Sequence, residues 1–491
     1  MKNTFMNGLI DETNVGLTTN GAIKRNTTKS AVLDLFSLCG AYRRRSEEDC
    51  ILAFKNAYEE NATLALKCLF YLRDCRGGQG ERRFFRVCFR WLADNHPEAA
   101  FRNLNNVSEY GRWDDLIYST VGTKVGKEAL AIVATQLALD SECKTPSLLA
   151  KWLPSENASS KETKKMGNIV RQALGMSHKE YRQLLSLLRT RINIVEKLMS
   201  QNKWDEIEFD KIPSKAGVIY KNAFARRDII AKKYEEFAKD ATKTVNASTL
   251  YPYDVAHKAF QGYNLSVDSA ERLMIQKYWD ALPNFYGDNE ENGLAIVDTS
   301  GSMSGQPLEA AVSLGAYIAE KAHGPFAGHF ITFSNRPSLI KFEGIDIVDK
   351  FNRARRADWE MNTDLKAVFD MLLRVAKQKQ TKAEDMPQRL YIFSDMEFDR
   401  CLSLGYSGTE GKVNSLLESI AKEWAAAGYE LPPVVFWNLN ACTQNIPALG
   451  GRFSYVSGLS PVMIETILSG KDGYDLMLSK LLDSGRYDPV N

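Results

Sequence analysis

The sequence contains few of the residues on which most enzymes and zinc proteins depend. Only 5 of its 491 residues are histidine, and none of these stands in a recognisable arrangement of a nucleophile with its base. Its 8 cysteines are scattered without the paired CxxC spacing of a zinc site, a pattern typical of reduced thiols in an intracellular protein. The composition argues against a cysteine zinc site and against catalysis, and we expect that the protein is not an enzyme.

Long apolar runs and an excess of charge are missing too. No apolar run approaches the length that spans a bilayer, and the first residues are too polar for a secretory signal. Lys and Arg number 63 against 61 Asp and Glu, which leaves a formal net charge of +2. Overall charge therefore does not indicate a nucleic-acid-binding protein, and such a role would need a local basic patch. We expect a cytoplasmic protein without membrane contact.

The chain is too long for one ordinary core, and its pattern changes twice along its length. Residues 1–28 are rich in Asn, Thr and Gly and are predicted to form a flexible arm. In residues 29–282, apolar residues recur at spacings of three and four, which predicts helices joined by short polar turns. Helices without strands favour an all-α domain, either of stacked HEAT-like helix pairs or of irregular arrangement, although no repeat of fixed period is present.

Residues 283–491 have a different pattern, in which short β-rich runs alternate with helical stretches. The predicted buried strands are LAIVD, GHFITFS, RLYIFSD, PPVVFWN and RFSYVSG. Alternation of strands and helices over this length predicts a doubly wound parallel sheet with helices on both faces. The fold class expected for the whole chain is therefore multidomain, with an all-α domain followed by an α/β domain.

Oxygen-bearing side chains follow two of the predicted strands. Asp298 ends LAIVD and Asp395 ends RLYIFSD, so both carboxylates are expected at the edge where such sheets bind ligands. Ser300 and Ser302 follow Asp298 in a glycine-containing loop, and Thr363 lies where a predicted helix begins. Two carboxylates and three hydroxyls are the kind of ligands that hard cations such as Mg²⁺ prefer. These five residues are the predicted metal site.

The DTSGS stretch has two further interpretations that the sequence leaves open. It could be only a tight turn from strand to helix, in which the serines cap the helix that follows. Asp298 could also be a nucleophile that accepts a phosphoryl group, but haloacid-dehalogenase-like phosphatases have a second acid where this chain has Ser300.

The glycine-rich stretch RGGQGERR lacks the Gly-Lys-Ser/Thr of a Walker A motif.

Arginines are concentrated in FYLRDCRGGQGERRFFRVCFRWL, residues 70–92. Arg82, Arg86 and Arg90 recur at every fourth position, which predicts a basic stripe on a helix whose other face is apolar. The glycines before this helix allow close backbone approach at its N-terminus, where amides favour anions. The alternative is a solvated helix face, with the arginines paired to nearby acids such as Asp74. The candidate phosphate contacts for RNA are Arg73, Arg76, Arg82, Arg83, Arg86 and Arg90.

The pattern of predicted metal ligands resembles the metal-ion-dependent adhesion site of the von Willebrand factor A domain. The D-x-S-x-S run of that family is Asp298, Ser300 and Ser302 here, and its threonine and second acid match Thr363 and Asp395. The resemblance covers the α/β half of the chain. It implies a site that binds Mg²⁺ or Mn²⁺ and completes the coordination with an acidic group from a protein partner.

The two halves together are similar to the TROVE proteins, which include the Ro autoantigen and join helical repeats to a von Willebrand A domain. A sister family of unknown function, found in plants, fungi, large viruses and phages, is more similar still over nearly the whole chain. In the Ro autoantigen the helical repeats form a ring that binds small structured RNAs outside and single-stranded RNA ends in its hole, and the resemblance implies a similar ring and similar ligands. The motifs that carry the resemblance to the sister family are FYLRDCRGGQGER (70–82), YGRWDDL (110–116), KWLPSEN (151–157), YRQLLSLLR (181–189), VDTSGSM (297–303) and FSDMEFD (393–399).

The arginines and the resemblance lead to one main hypothesis and two alternatives. The main hypothesis is a non-catalytic ribonucleoprotein scaffold that binds structured or single-stranded RNA and carries a divalent metal in its A domain. The first alternative is a metal-dependent adaptor or assembly protein, in which the metal captures an acidic residue of a protein partner. The second alternative is a metal-dependent phosphoesterase, for which the sequence offers no general base.

Overall fold

Helices dominate the computed structural model of the chain, and one six-stranded sheet lies in its C-terminal half. This combination confirms the coarse expectation of a multidomain α and α/β protein. Within the part of the chain that the structure describes, no helix combines the length and the apolar character needed to cross a membrane. The structure describes residues 13–17, 23–43, 45–192, 195–212, 214–245, 247, 250–286, 292–333, 336–355, 364–396, 416–439, 453–457 and 473–491.

Two compact units make up the chain, and each contains segments that are distant in sequence. The helical unit consists of residues 47–249 and 484–491, and the sheet unit consists of residues 1–46 and 250–483. The limits of these units differ from the predicted domain limits at 28/29 and 282/283. Helices just before the second limit belong to the sheet unit, and the final segment of the chain belongs to the helical unit.

The segment before residue 47 forms a short hairpin and a helix within the sheet unit. Strand β1 (Val15–Leu17) pairs antiparallel with strand β2 (Ile23–Arg25), and helix α1 spans Ala31–Leu38. Asn14 holds the base of the hairpin, because its side chain accepts hydrogen bonds from two amides of the opposite side at 2.9 and 3.1 Å. The predicted flexible arm therefore contains a hairpin.

The helical unit is built from short helices joined by tight turns. Side chains at the N-terminal end determine where three of these helices begin. Asn61, Ser160 and Ser177 each accept a hydrogen bond from an amide in the first turn of the helix that follows. The described residues of this unit contain no strand, in agreement with the periodicity. In chain order the helices are Glu47–Glu60 (α2), Ala62–Arg73 (α3), Arg82–Asn95 (α4), Pro97–Arg102 (α5), Leu104–Tyr110 (α6), Trp113–Thr120 (α7), Gly126–Glu142 (α8), Leu149–Trp152 (α9), Lys161–Ala173 (α10), His178–Arg191 (α11), Val195–Ser200 (α12), Ser214–Ala225 (α13) and Asp228–Lys239 (α14).

Helix α4 packs into the core of the helical unit with the face that its sequence predicts. Its five predicted apolar residues are all buried: Phe84, Phe85, Cys88, Phe89 and Leu92. The rings of Phe85 and Phe89 stack with centroids 5.3 Å apart, and Phe70 of α3 meets both of them edge-on. Because aromatic pairs in these geometries stabilise beyond the area they bury, α4 is firmly fixed and its arginines project from the other side.

The main sheet has six strands, five of which match the runs that the sequence predicts. Every neighbouring pair is parallel except β4 with β5, and the order across the sheet is β5–β4–β3–β6–β7–β8. The sequence does not predict β5, because its residues are mostly exposed and form no apolar run at this edge of the sheet. The strands are Gly293–Asp298 (β3), His329–Phe333 (β4), Ser338–Lys341 (β5), Arg389–Ser394 (β6), Val434–Asn438 (β7) and Phe453–Ser457 (β8).

Helices cover both faces of this sheet. On one face, Ile296 of β3 shares an apolar cluster with Phe369 and Trp424, which lie on two different helices. On the other face, a helix approaches β3 so closely that a Cβ added to Gly315 would come within 2.5 Å of Val297. Successive strand residues point to opposite faces, so the sheet lies between two helical layers. The helices of the sheet unit after α1 are Pro252–Gln261 (α15), Ala270–Asp280 (α16), Gln306–Lys321 (α17), Ile347–Arg355 (α18), Leu365–Lys379 (α19), Leu416–Ala426 (α20) and Gly473–Leu478 (α21).

Candidate functional site

Two buried carboxylates lie at the carboxyl ends of neighbouring strands. Asp298 is the last residue of β3 and Asp395 directly follows β6, and both side chains are fully buried. The two strands run parallel with Val297 opposite Phe393, so their ends reach the same edge of the sheet. The two acids therefore share the edge at which doubly wound sheets bind their ligands.

The loop after β3 holds hydroxyl groups beside Asp298. The amide of Ser300 donates to Oδ1 of Asp298 at 2.9 Å, and the hydroxyl oxygens of Ser300 and Ser302 lie 3.1 Å apart. Ser300 is buried, whereas Ser302 is exposed. Neither serine caps helix α17, because the capping position is occupied by Gly305 and no side chain accepts a hydrogen bond there. The alternative in which the serines only cap a helix does not describe this loop.

Ser394 joins the site although the sequence pattern does not single it out. Its hydroxyl donates to Oδ2 of Asp298 at 2.5 Å, and its oxygen accepts a hydrogen bond from the amide of Met396. The available signal is its position at the end of β6, directly before Asp395. Thr363, the fifth predicted ligand, lies outside the described residues.

The surroundings of Asp298 disfavour its charged form. Burial is the largest cause and repulsion from Asp395 the second, and they raise the pKa of Asp298 to about 7 against the hydrogen bonds from Ser394 and Ser300. Two buried acids that oppose each other's ionisation fit a bound cation, which would favour the charged form of both. In the described part of the chain, no group of three or more His, Cys, Asp or Glu side chains could hold a metal. A cation at this edge would therefore depend on serine hydroxyls as well as on the two acids.

Arg73 and Arg76, two of the six predicted phosphate contacts, bind groups of the helical unit. The side chain of Arg73 is 3% exposed, and its Nε donates to Oδ2 of the fully buried Asp115 at 2.8 Å. Arg76 is exposed, but its guanidinium donates a hydrogen bond to the carbonyl oxygen of Glu109. The partner of Arg73 is thus Asp115 and not the adjacent Asp74, and both guanidiniums hold protein groups in place.

Asp114 and Asp115 of the YGRWDDL motif bind three arginines between them. Arg86 donates from Nε to Asp115 at 2.6 Å and from Nη2 to Asp114 at 2.8 Å. Arg112 donates from Nη2 to Asp114 at 2.6 Å, and Arg73 completes the set. Three guanidiniums therefore share two carboxylates, which joins the two motifs by ion pairs and leaves positive charge in excess.

Helix α4 forms one wall of a groove of about 640 Å³. The groove also has aromatic surface from Trp91 and Tyr118, and the guanidinium carbon of Arg86 lies 4.7 Å from the centroid of the Tyr118 ring. Cationic and aromatic side chains are therefore combined in one place. Four of the six predicted phosphate contacts line the groove: Arg82, Arg83, Arg86 and Arg90.

Positive charge exceeds negative charge around Arg82. Burial lowers the pKa of Arg82 most, repulsion from Arg112 and Arg86 lowers it further, and attraction by Asp114 and Asp115 offsets only part of this. A guanidinium keeps its proton under these conditions, so Arg82 is a cation beside two other guanidiniums and two carboxylates. The groove also contains three acids: Glu47, Asp94 and Glu162.

The glycine loop between α3 and α4 is closely approached by other parts of the chain. A Cβ on Gly77 would come within 2.5 Å of Nε of Arg486, and one on Gly78 would come within 1.9 Å of the carbonyl oxygen of Tyr71. The glycines thus permit the close approach that the sequence predicts. The approaching groups, however, are a guanidinium and a backbone carbonyl of the protein.

Comparison with known proteins gives matches over most of the chain. Residues 18–119 and 132–283 match the family model for domain of unknown function DUF2828, and residues 292–479 match that for domain of unknown function DUF7788. The uncharacterized protein L728 of Acanthamoeba polyphaga mimivirus is 30% identical over 97% of this chain and 89% of its own length. These matches agree with the expected resemblance to a family of unknown function with a member in a large virus. Neither matching model is a TROVE or von Willebrand A model.

Proposed function

The chain belongs to the protein family described as domain of unknown function DUF2828, and for this member we propose a non-catalytic role in RNA binding. The observation that carries the proposal is the groove along α4, where four arginines and two aromatic side chains meet in a space of about 640 Å³. Guanidiniums bind phosphates through paired hydrogen bonds, and aromatic faces stack on unpaired bases. The ligand that fits both is a structured RNA with a single-stranded segment or end.

The four groove arginines have different roles in this proposal. Arg82 and Arg90 lie eight positions apart on α4, about 12 Å along the helix axis, which a few consecutive nucleotides can follow. Both are exposed, as is Arg83, and the guanidinium of Arg90 also donates to the carbonyl oxygen of Val121 at 3.0 Å. A phosphate would therefore share the donors of Arg90 with the protein. Arg86 is held by two acids and contributes positive potential and the contact with the aromatic ring. Arg73 and Arg76 are left out of the proposed surface because they do not line the groove.

The acids in the groove limit its affinity for RNA. Glu47, Asp94 and Glu162 line the same groove and repel phosphates from part of it. Binding that depends on a few phosphate contacts is sensitive to salt, since each contact releases counterions. The proposal also draws on the resemblance of the sequence to the TROVE proteins, which join a helical domain to a von Willebrand A domain and bind RNA. We therefore expect an RNA interaction of moderate strength that weakens clearly as salt is raised.

Charge exchange in the groove tests the RNA proposal. We expect Arg82→Glu combined with Arg90→Glu to weaken binding of a single-stranded RNA and of an RNA hairpin by at least about tenfold. The slope of log K against log salt should fall by about one for each phosphate contact that the exchange removes. Fluorescence anisotropy of labelled RNA over a salt series measures both quantities.

The matched control is Arg102→Glu combined with Arg182→Glu. Both arginines are exposed on the helical unit and lie outside the groove, and the double exchange alters the net charge by the same amount. The control variant should bind RNA like the wild-type protein. Equal weakening in both double variants would point to net charge alone, and unchanged binding in the groove variant would remove the groove from the proposal.

A second function, capture of an acidic group on a protein partner through a bound cation, is favoured by the paired acids of the sheet unit. Asp298 and Asp395 share a buried edge, and Asp298 is oriented by hydrogen bonds from the Ser300 amide and the Ser394 hydroxyl. Together with Ser300 and Ser302 they would hold Mg²⁺ or Mn²⁺, which supplies a positive charge to an incoming carboxylate. Ser302 is exposed, so this side of the ligand set can be reached by a partner.

Titration with Mn²⁺ tests the cation site directly. We expect Asp298→Asn and Asp395→Asn each to lower the Mn²⁺ affinity by at least about tenfold, because each removes one charged oxygen ligand. Ser304→Ala is the control, since its hydroxyl only donates to the carbonyl of Gly301 in the same loop. Electron paramagnetic resonance of free Mn²⁺ gives the affinities. Equal Mn²⁺ binding by the wild-type protein and both acid variants would contradict the site.

The phosphoesterase alternative makes a separate prediction about the same acids. It requires Mg²⁺-dependent hydrolysis of a simple phosphate ester that disappears in Asp395→Asn. We expect no such turnover, because the sequence offers no general base beside the two strand ends. Hydrolysis of p-nitrophenyl phosphate above that of the Asp395→Asn variant would favour the enzyme.

A further inference from the structure

The segment 484–491, SGRYDPVN, belongs to the helical unit although the residues before it belong to the sheet unit. Tyr487 and Val490 are each 1% exposed, and the amide of Val490 donates to the carbonyl of Tyr487 at 3.1 Å. The segment therefore forms a turn with two buried apolar anchors. Short peptides likewise bind to proteins through a few side chains that are held in pockets.

The fully buried Asp74 is at the centre of this contact. Its Oδ1 accepts a hydrogen bond from Nη2 of Arg486 at 3.0 Å, and its Oδ2 accepts one from the hydroxyl of Tyr487 at 3.0 Å. The amides of Arg76 and Gly77 donate to the same carboxylate at 2.9 and 3.0 Å. Burial by itself raises the pKa of Asp74, but these hydrogen bonds outweigh it and hold the pKa below its ordinary value. A charged, buried carboxylate thus meets a guanidinium and a phenol from one short segment.

Aromatic rings of the helical unit also contact Arg486 and Tyr487. The ring centroid of Tyr487 lies 6.0 Å from that of Tyr71 and 5.3 Å from that of Tyr110. The hydroxyl of Tyr110 donates to the carbonyl oxygen of Arg486 at 2.6 Å, and the guanidinium of Arg486 lies 5.6 Å from the Tyr110 ring. Both side chains of the pair are therefore recognised through charge, hydrogen bonds and ring packing together.

Three further side chains of the helical unit hold the segment beyond Tyr487. Nζ of Lys67 donates to the carboxylate of Asp488 at 3.1 Å, and Nδ2 of Asn106 donates to the carbonyl of the following proline at 2.9 Å. Oδ1 of the fully buried Asn103 accepts a hydrogen bond from the amide of Asn491 at 3.2 Å. Buried polar groups need hydrogen-bond partners, and here one contiguous segment supplies them.

We propose that the pocket around Asp74 is a peptide-binding site for an Arg-Tyr-Asp segment, and that residues 484–491 are its built-in ligand. The pocket side of the contact comes from α3, the glycine loop and α6, whereas the ligand side is a single short stretch. All of these contacts would therefore form or break together when the segment binds or leaves. A peptide of the same chemistry would compete for the pocket. The proposal is independent of the proposed RNA and cation functions.

Separation of the segment from the pocket tests this proposal. A chain that ends at Asp483 is mixed with a fluorescently labelled peptide SGRYDPVN, and binding is followed by anisotropy. We expect saturable binding that unlabelled peptide reverses. The chain that keeps residues 484–491 should bind the labelled peptide at least about tenfold more weakly, because its own segment fills the pocket at a high effective concentration.

Variants of the peptide identify which contacts matter without any effect on the folding of the pocket. Peptides with Arg486→Ala or Tyr487→Ala should bind at least about tenfold more weakly than the natural one, since each removes a partner of the buried carboxylate. A scrambled peptide of the same composition is the control and should not compete. If the natural, substituted and scrambled peptides bind equally well, the pocket is not specific and the proposal fails.

A second form of the experiment applies where the truncated chain does not fold. A protease site inserted between Asp483 and Ser484 allows the folded chain to be cleaved after purification. The cleaved segment should then be exchanged for an excess of labelled SGRYDPVN. A labelled peptide that neither binds a folded truncated chain nor exchanges into the cleaved one would overturn the proposal.

Discussion

Among single residues, Arg73 and Asp115 form an ion pair in which both side chains are almost fully buried, at 3% and 0% exposed. Asp115 also accepts hydrogen bonds from the guanidinium of Arg86 and from the amide of Arg112. These donors replace the water that the buried carboxylate has lost. Removal of one donor leaves a desolvated charge that is only partly compensated, so the pair matters for the stability of the helical unit.

Substitution of Arg73 tests whether this arginine stabilises the fold, in contrast to an arginine on the surface. Arg73→Met should lower the free energy of unfolding by about 3 kcal/mol, the low end for a broken buried pair, because Arg86 remains beside Asp115. The control Arg82→Met removes the same charge from an exposed position and should change stability by no more than about 0.5 kcal/mol. Urea unfolding followed by circular dichroism compares the two. Similar shifts for both variants would contradict the importance of the buried pair.

The sequence shows where the charged residues are, but it does not show which residue each of them pairs with. Arg73 pairs with an acid 42 residues away, and Asp74 with an arginine 412 residues away. The packing of separate helices determines such pairs, and the spacing within one segment does not record it. Asp298 and Asp395 are different, because both end parallel strands and strand ends meet at one edge. Their neighbourhood could therefore be predicted, whereas the hydrogen bond from the Ser394 hydroxyl to Asp298 could not.

At the scale of elements, a strand can be predicted from this sequence when all of its residues are buried. Strands β3, β6 and β7 are buried along their whole length and appear as continuous apolar runs. Strand β5 is mostly exposed at the edge of the sheet, where it pairs antiparallel with β4 alone among the described strands. The sequence around helix α18 has polar and charged residues at most positions, so this helix is also not predicted.

The packing of α17 on β3 gives a test at the level of these elements. Gly315→Ala should destabilise the sheet unit by about 1–3 kcal/mol, because the new Cβ would lie 2.5 Å from Val297. Val297→Ala makes room for that Cβ, so the double variant should be less destabilised than the sum of the single variants. A double-mutant cycle from thermal unfolding measures this coupling. Strictly additive effects would show that the two residues do not compete for space.

For the whole molecule, the limits of the compact units could not be predicted from the change of pattern near residue 283. Helices α15 and α16 precede this point, yet they pack within the sheet unit. Arg272 of α16 donates to the carboxylate of Asp346 at 2.7 Å, and the rings of Trp279 and Phe351 lie 5.4 Å apart. The periodicity of a helix shows that one face is covered, but it does not show which element covers it.

During synthesis, which starts at the N-terminus, the pocket around Asp74 is made well before residues 484–491, which fill it. Asp74 leaves the ribosome 412 residues ahead of Arg486, an interval of about 20–80 s at ordinary rates of synthesis. Throughout that interval the helical unit lacks the segment that neutralises its buried acid. A ribosome that stops within the sheet unit therefore releases a chain whose helical unit is incomplete. The fold thus distinguishes chains that contain residues 484–491 from those that end before them, because the pocket is synthesised long before the segment that fills it.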